Sequence, residues 1–337
     1  MLGLCALLLA MGALWLAESV FAPLAFALFV IAIVWPLQRW LQSGVPQLVA
    51  LALTMAATIL VLVAFSLLIA WGAGRVGGFI IGDAAHLQAL YGASARWLEG
   101  HGVAVAGLWA DYVDASHLIR FVGEITSRLN TAISFSVVVF VYVLLGLLEV
   151  DSAGRKLRAW QHGRLGEVVL VGGARTAVKF RQYMLVRTVM SVLTGVLVSA
   201  FAWLVGLPLA IEWGVIAFAL NYIPFIGPLI ATVFPTLVAM AEFKSLQMTL
   251  IVFAFLNVIQ FVVGSYLEPR FAGSALAISP FVVLLAVFFW TFLWGISGAF
   301  MGVPIVIAVL TLCECHPYAR WIADLFGKPR QDPAASP

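Results

Sequence analysis

Asn221, Tyr222, Pro224, Gly227 and Pro228 stand in one short block, Asn221-Tyr222-Ile223-Pro224-Phe225-Ile226-Gly227-Pro228, inside an otherwise apolar run from Trp213 to Met240. The asparagine amide both donates and accepts hydrogen bonds. The two prolines lack a backbone donor, and glycine adopts conformations closed to other residues. A helix interrupted here exposes free amides at one broken end and free carbonyls at the other. In hydrocarbon such groups survive only where they are buried in protein or line a wet cavity. Half-helix ends of this kind can hold a polar solute or an ion.

A second block, Trp294-Gly295-Ile296-Ser297-Gly298-Ala299-Phe300-Met301-Gly302-Val303-Pro304, interrupts the run from Pro280 to Leu312. Gly295, Gly298, Gly302 and Pro304 can open a solute site there, or the glycines can simply let helices approach closely. Asn257 and Gln260 lie one turn apart on the intervening apolar run and suit either a solute or an interhelical hydrogen bond. Glu268 and Glu212 stand at the ends of apolar runs. Either acid could carry a proton or a cation if it faces a cavity, whereas hydration is the ordinary state of an acid at a helix end. Lys179, Arg181 and Arg187 approach the next apolar run, where they would attract an anionic or polyhydroxylated solute or lipid head groups. Asp111, Asp114 and His117 recur every third residue but lack metal-type spacing, and read as a solvated helix face. Cys313-Glu314-Cys315-His316 has no second ligand pair, so no metal is expected.

The elements that must position these groups are membrane helices. Hydrophobic residues make up 64% of the 337 residues and charged residues 10%, with a mean hydropathy of +1.10. A soluble domain carries about 25% charged residues, so the bilayer has to serve as solvent for most of this surface. Intact apolar runs span Leu2–Ala17, Val20–Leu37, Val45–Gly74, Thr131–Leu148, Thr188–Gly206 and Leu246–Gly264. The expectation is an all-α polytopic membrane protein with about six full spans plus two broken or re-entrant pairs. The first two runs fall short of the roughly 20 residues a helix needs to cross, and read as an uncleaved helical hairpin turning near Glu18. The chain divides into N-terminal membrane helices (1–74), an amphipathic helical region (75–130) in which Asp114 or Ser116 could cap a helix, and a span (131–150). A basic segment (151–187), a core of two repeated units (188–313) and a tail (314–337) complete it.

Arg155 to Arg187 holds eight basic residues against the single acid Glu167. Because basic loops stay on the cytoplasmic side, this segment is expected inside, together with both chain ends. Counting spans from there puts 13 of the 18 basic residues inside and leaves Arg75, Arg96, Arg120, Arg128 and Lys244 outside. Each repeated unit is one intact run followed by one broken pair. If each broken pair re-enters its own side, one unit crosses the membrane once and the next starts from the opposite face. That is an inverted-topology repeat, and matching interruptions in two such halves point to a transport site.

At these residues the chain resembles the autoinducer-2 exporter family of bacterial membrane proteins. The match runs through Asn221-Tyr222-Ile223-Pro224, Gly227-Pro228, Pro235, Glu268-Pro269-Arg270, Gly273, Ser279-Pro280, Trp294-Gly295, Gly298, Gly302 and Pro304. The resemblance implies a secondary transporter of the inner membrane; some relatives export a small signalling furanone, and others are described as sodium(lithium)-proton antiporters. It also implies a homo-oligomer, pentameric in the family, with lipid, a small polar solute and a proton or sodium ion as partners. No Walker sequence, His-Glu-x-x-His or Gly-x-Ser-x-Gly occurs, so neither ATP hydrolysis nor an intramembrane enzyme is expected, nor a cofactor, nor nucleic acid. A passive channel or scaffold stays open as a rival.

The orientation is directly measurable. A cysteine placed at Ser94 should react with an impermeant thiol reagent on intact cells, and one at Gln161 should not. The reverse pattern would invert the topology.

Overall fold

The computed structural model describes residues 2–82, 115–159, 164–273 and 278–327. Apart from one isolated bridge between Ile278 and Gly327, every regular element among them is helical, as expected for an all-α polytopic membrane protein. In order they are α1 (Leu2–Leu16), α2 (Glu18–Gln42), α3 (Gln47–Gly82), α4 (Ala115–Ala159), α5 (Arg164–Leu204), α6 (Ala210–Leu220) and α7 (Ile226–Phe243). Then come α8 (Leu246–Phe261) with a π-helical turn (Val262–Leu267), α9 (Glu268–Ala272), α10 (Pro280–Cys315) and α11 (Arg320–Phe326). Hydrocarbon offers backbone amides no partner, so long apolar runs close their own hydrogen bonds as helices. Consecutive side chains of α3, such as Leu60, Val61 and Leu62, are exposed, as lipid-facing residues must be. The Asp111–Asp114–His117 candidate and the Asp114 or Ser116 cap fall where side chains are not described.

Seven helices among the described residues are long and apolar enough to cross a membrane. Helices α4 and α5 run past the apolar stretches into the basic segment, carrying Arg155 and Arg158 at one end and Arg175 to Arg187 at the other. At the N-terminus the expected hairpin is a bend. A single residue, Ala17, separates α1 from α2, and helical bonds continue on either side of it, from Ala17 N to Ala13 O and from Phe21 N to Ala17 O. The two helices otherwise touch little.

Helix α5 is the spine on which both broken pairs are built. Going down α5, Ser199 and Gly195 meet Gly214, Ser191 meets Asn221, and Thr188 meets Tyr222, so α6 runs antiparallel to the spine. Helix α8 also descends: Phe255 stacks on Phe201 at 5.2 Å, and Glu268 pairs with Arg187. Helix α7 joins the low end of α6 to the high start of α8, so it must climb back. The first pair therefore re-enters the side it came from.

The second pair does the same from the opposite face. Its start, Ser279, donates to Phe326 O, and its end lies by the lower part of α5, with Glu314 against Lys179 and Leu312 against Gly172. In a straight helix Ala286 and Gly302 would be about 24 Å apart. Here a Cβ on Gly302 would sit 3.0 Å from Ala286 O, so α10 doubles back at Trp294 (φ −129°, ψ 19°) and Gly295 (φ 59°, ψ −138°). Length and composition alone would count α10, like α7, as a crossing; the backbone makes each part of a hairpin.

The two breaks share a plan. A positive-φ residue immediately precedes each returning arm: Phe225 (φ 62°) before Ile226, and Gly295 before Ile296. A glycine in the first turn of each arm then presses on the carbonyl at the end of the entering arm, Gly227 on Leu220 and Gly298 on Trp290. A methyl group at either glycine would occupy that oxygen's own space.

Gly298→Ala should therefore destabilise the protein by about 3 kcal/mol, the upper range for overpacking. Gly74→Ala, on α3 with nothing within 4 Å of its Cβ position, should be neutral or slightly stabilising. Thermal unfolding of both variants in the same micelles checks this. A Gly298→Ala melt at the wild-type temperature would contradict the doubled-back arm.

Candidate functional site

Thr188 and Ser191 lie within a single turn of α5 and face the first break, and Arg187 precedes them. The amide nitrogen of Asn221 donates to Ser191 Oγ at 3.1 Å, and the Tyr222 hydroxyl donates to Thr188 Oγ1 at 3.0 Å. Both Asn221 and Ser191 are buried. The Asn221 side chain thus spans to the spine, while α7 starts without any side-chain cap. The Tyr222 ring is walled by Phe65 of α3, Phe218 of α6 and Phe300 of the second hairpin, with centroids 5.6, 5.7 and 6.4 Å away. Tyr222, together with Ile226, therefore brings the first break against the second hairpin.

Below this polar pair sits an ion pair. Arg187 Nη1 donates to both carboxylate oxygens of Glu268, at 2.6 and 2.7 Å, and Arg187 is only 5% exposed. Its Nε is buried with no partner among the described residues. The π turn before Glu268 explains how the acid is aimed. The Glu268 amide bonds back five residues to Val263 O, which adds a residue to the turn and rotates the acid to a new face of the helix. Pro269 comes next and cannot donate, so the ladder is already broken there. Glu268 is thus paired across helices instead of hydrated at a helix end.

Other candidates are placed elsewhere. Lys179 Nζ contacts Glu314 Oε2 at 3.0 Å, which engages the acid of the Cys313–His316 fragment, and Arg181 Nη1 donates to Ala32 O at 2.8 Å. The three cations approaching from the basic side therefore bind three different elements. Asn257 is exposed and donates to Phe253 O of its own helix, and Gln260 is half-buried; neither joins Asn221. Glu212, read as a candidate helix-end acid, is 5% exposed and accepts from Arg75 Nε at 3.0 Å. Pro224 lies in the turn of the first break, its carbonyl taking the Ile226 amide at 2.7 Å, and Pro228 falls in the first turn of α7, where a missing donor costs little. Gly295, Gly298, Gly302 and Pro304 belong to the second hairpin, and the last three are buried.

Trp294, at the second break, is tied to the N-terminus. The Ala17 bend (φ −103°, ψ 32°) turns the next amide away from the Leu14 carbonyl, and Trp294 Nε1 donates to that carbonyl at 3.1 Å. Sequence reasoning missed Thr188, Ser191 and Phe300. Two hydroxyls three residues apart in an apolar run, one turn from an arginine, were the signal present in the sequence.

Asn, Thr, Ser and Tyr groups beside an internally neutral Arg–Glu pair make a site suited to a polar solute or a desolvated ion. Here Asn221 is met by Ser191 and Tyr222 by Thr188, while Arg187 Nε has no partner among the described residues.

Comparison with known proteins bears on the same region. The model of the family described as "AI-2E family transporter" matches residues 4–316. The chain is 30% identical over 305 residues to the AI-2 transport protein TqsA of Escherichia coli, covering 88% of this chain and 86% of that one. It is 27% identical to the Mycobacterium tuberculosis protein MT0215, across 91% of this chain and 87% of the other. It is 28% identical to the E. coli protein YhhT, across 65% and 62%. The names of the last two mention transport and no solute.

Glu268→Gln should leave Arg187 buried without a counter-charge and cost about 3 kcal/mol of stability. Replacing both partners, as Arg187→Met with Glu268→Leu, should recover most of that loss. A thermodynamic cycle of the single and double variants checks it, and additive losses would mean that the pair is not coupled.

Proposed function

The chain belongs to the AI-2E transporter family, and from that premise we propose that it is a secondary transporter carrying a small polar solute across the bacterial inner membrane. One observation supports this reading most: the Asn221–Tyr222 break rests on hydroxyls of the spine one turn from the buried Arg187–Glu268 pair. Each polar group there can trade its present partner for solute at small net cost, since hydrogen bonds are exchanged and not lost.

The two hairpins supply the moving parts. The first enters from the Leu204 end of the spine, and the second from the end that carries Lys179 and Arg175. Withdrawing the first from α5 would open Asn221, Thr188 and Ser191 to its side. Displacing α9 from α5 would open Arg187 and Glu268 to the other. Tyr222 against Phe300 makes the movements of the two hairpins dependent on each other, so alternating access follows from their mutual packing. A family relative is named for AI-2 transport, which makes AI-2 the first solute to try. The homo-oligomer, with both termini in the cytoplasm, belongs to the same reading.

Glu268 supports a second reading, sodium(lithium)-proton antiport. If Arg187 is withdrawn, the carboxylate becomes an intramembrane site for a proton or an alkali cation.

A counterflow assay in proteoliposomes, comparing AI-2, furanosyl sugars, sodium, lithium and protons, separates these readings and distinguishes a carrier from a passive pore. Asn221→Ala should lose about five- to tenfold in flux at an unchanged melting temperature, since a hydrogen-bonding contact to solute contributes about 1–1.5 kcal/mol. Pro224→Ala should slow exchange between the inward- and outward-facing states by closing more of the helical ladder. Wild-type flux from folded Asn221→Ala would move the site away from this break.

A further inference from the structure

A groove of about 580 Å³ opens on the outer surface where α5, α6 and α3 meet. Leu68, Val196, Ala200, Trp203, Ile211 and Phe218 line it, and the only side-chain polar atom in its lining outside the Trp203 indole is the Ser199 hydroxyl. Its floor exists because two glycines face each other. A Cβ on Gly195 would lie 2.7 Å from Gly214 O, and one on Gly214 2.6 Å from Gly195 O. With no side chain on either, the helices close at the back and leave a trough in front. Val196, Ala200 and Ile211 are exposed along its mouth.

The trough leads to a cation. Leu68, Gly72 and Arg75 are spaced four and three residues apart and form one stripe of α3. A Cβ on Gly72 would lie 3.1 Å from Cγ1 of the groove residue Val215 and 3.7 Å from Glu212 O, so this stripe runs along α6. At its top, Arg75 Nε donates to Glu212 next to groove residue Ile211. The Arg75 side chain is 62% exposed, and its terminal amines have no partner among the described residues. Trp203, 75% exposed at the same end of α5, is of the type that seats at the boundary between hydrocarbon and head groups.

We propose that this groove is a glycerophospholipid site, with one acyl chain lying between α5 and α6 and the phosphate held by the terminal amines of Arg75. An apolar trough open sideways admits a chain from the bilayer and offers a polar solute almost nothing. A guanidinium two turns above it presents the fork that phosphate oxygens accept. The occupant would rest against the entering arm of the first hairpin, so that arm could not leave the spine without disturbing the lipid. The inference rests on the groove and Arg75 and is independent of the transport reading, because its test measures binding.

Delipidated full-length protein is titrated with phosphatidylglycerol and, separately, with diacylglycerol of the same chains, and adducts are counted by native mass spectrometry. Wild type should hold one phosphatidylglycerol per chain far more tightly than diacylglycerol. Arg75→Gln combined with Glu212→Gln, which removes both charges together, should weaken phosphatidylglycerol about tenfold and leave diacylglycerol unchanged. Glu212→Gln alone releases the guanidinium and should tighten phosphatidylglycerol. Ala200→Trp fills the trough from its exposed side and should abolish the tight adduct; Val196→Trp does the same from a second position, should the first variant fold poorly. Undiminished phosphatidylglycerol binding by the double-neutral variant or by the folded Trp variants would overturn the proposal. So would a wild type that carries no lipid and whose oligomeric state changes on Ala200→Trp, because the groove would then be covered by a second copy of the chain.

Discussion

A carbonyl that loses its helical partner inside a bilayer must find another, because no water is there to take it. Among the described residues the helices are interrupted before Ile226, at Trp294–Gly295 and at Ala17, and each interruption is resolved differently. At the first break Ile226 and Gly227 donate to the carbonyls of Pro224 and Ile223, so the turn closes on itself. At the second the returning arm comes so near the entering one that glycine is required at position 298. At the Ala17 bend the freed oxygen is met by the Trp294 indole. Both hairpins are possible because these exposed groups have partners within the protein.

That constraint also explains why one helix organises so much. A continuous α5 gives its neighbours a fixed ladder: Lys179, Arg181, Gln182, Arg187, Thr188, Ser191 and Gly195 each bind or press on a different partner residue along it. Broken helices cannot hold their own ends in register, so they borrow it from an unbroken one. The cross-helix ion pairs obey the same logic. Arg75–Glu212 lies beside the entering arm of the first hairpin, and Lys179–Glu314 lies at the end of the returning arm of the second. Each fixes one hairpin to an intact helix near the face from which that hairpin enters.

Much of this was legible in residue types. Proline and glycine mark both breaks, and the repeated order of intact run and broken pair gives the opposed hairpins by parity alone. The parts that were not legible have physical reasons. Alanine is the best helix former, so nothing in Ala17 announces a bend whose support comes from a distant tryptophan. Phenylalanine does not announce a positive φ, a conformation that costs about 1–3 kcal/mol in a bulky residue and here is imposed by the turn around it. Asn257 and Gln260 look like a buried polar pair because polar residues in apolar runs usually face inward, yet Asn257 is exposed and bonds within its own helix. Glu212 and Glu268 sit at helix ends, where composition suggests hydration, and each is paired with an arginine from a helix far away in sequence. Sequence spacing finds groups that share one helix; it does not find partners that folding brings from another.

The bond between Leu14 and Trp294 also sets an order of events during synthesis. Its acceptor leaves the ribosome 280 residues before its donor. At about 5–20 residues per second that interval is on the order of tens of seconds. Throughout it the bent N-terminus holds a carbonyl in the membrane without its final partner. It must therefore stay straight, stay near the lipid surface, or borrow a partner from the insertion machinery until the C-terminal hairpin arrives. The bend at Ala17 in this way gains its final support only once the second hairpin has been made.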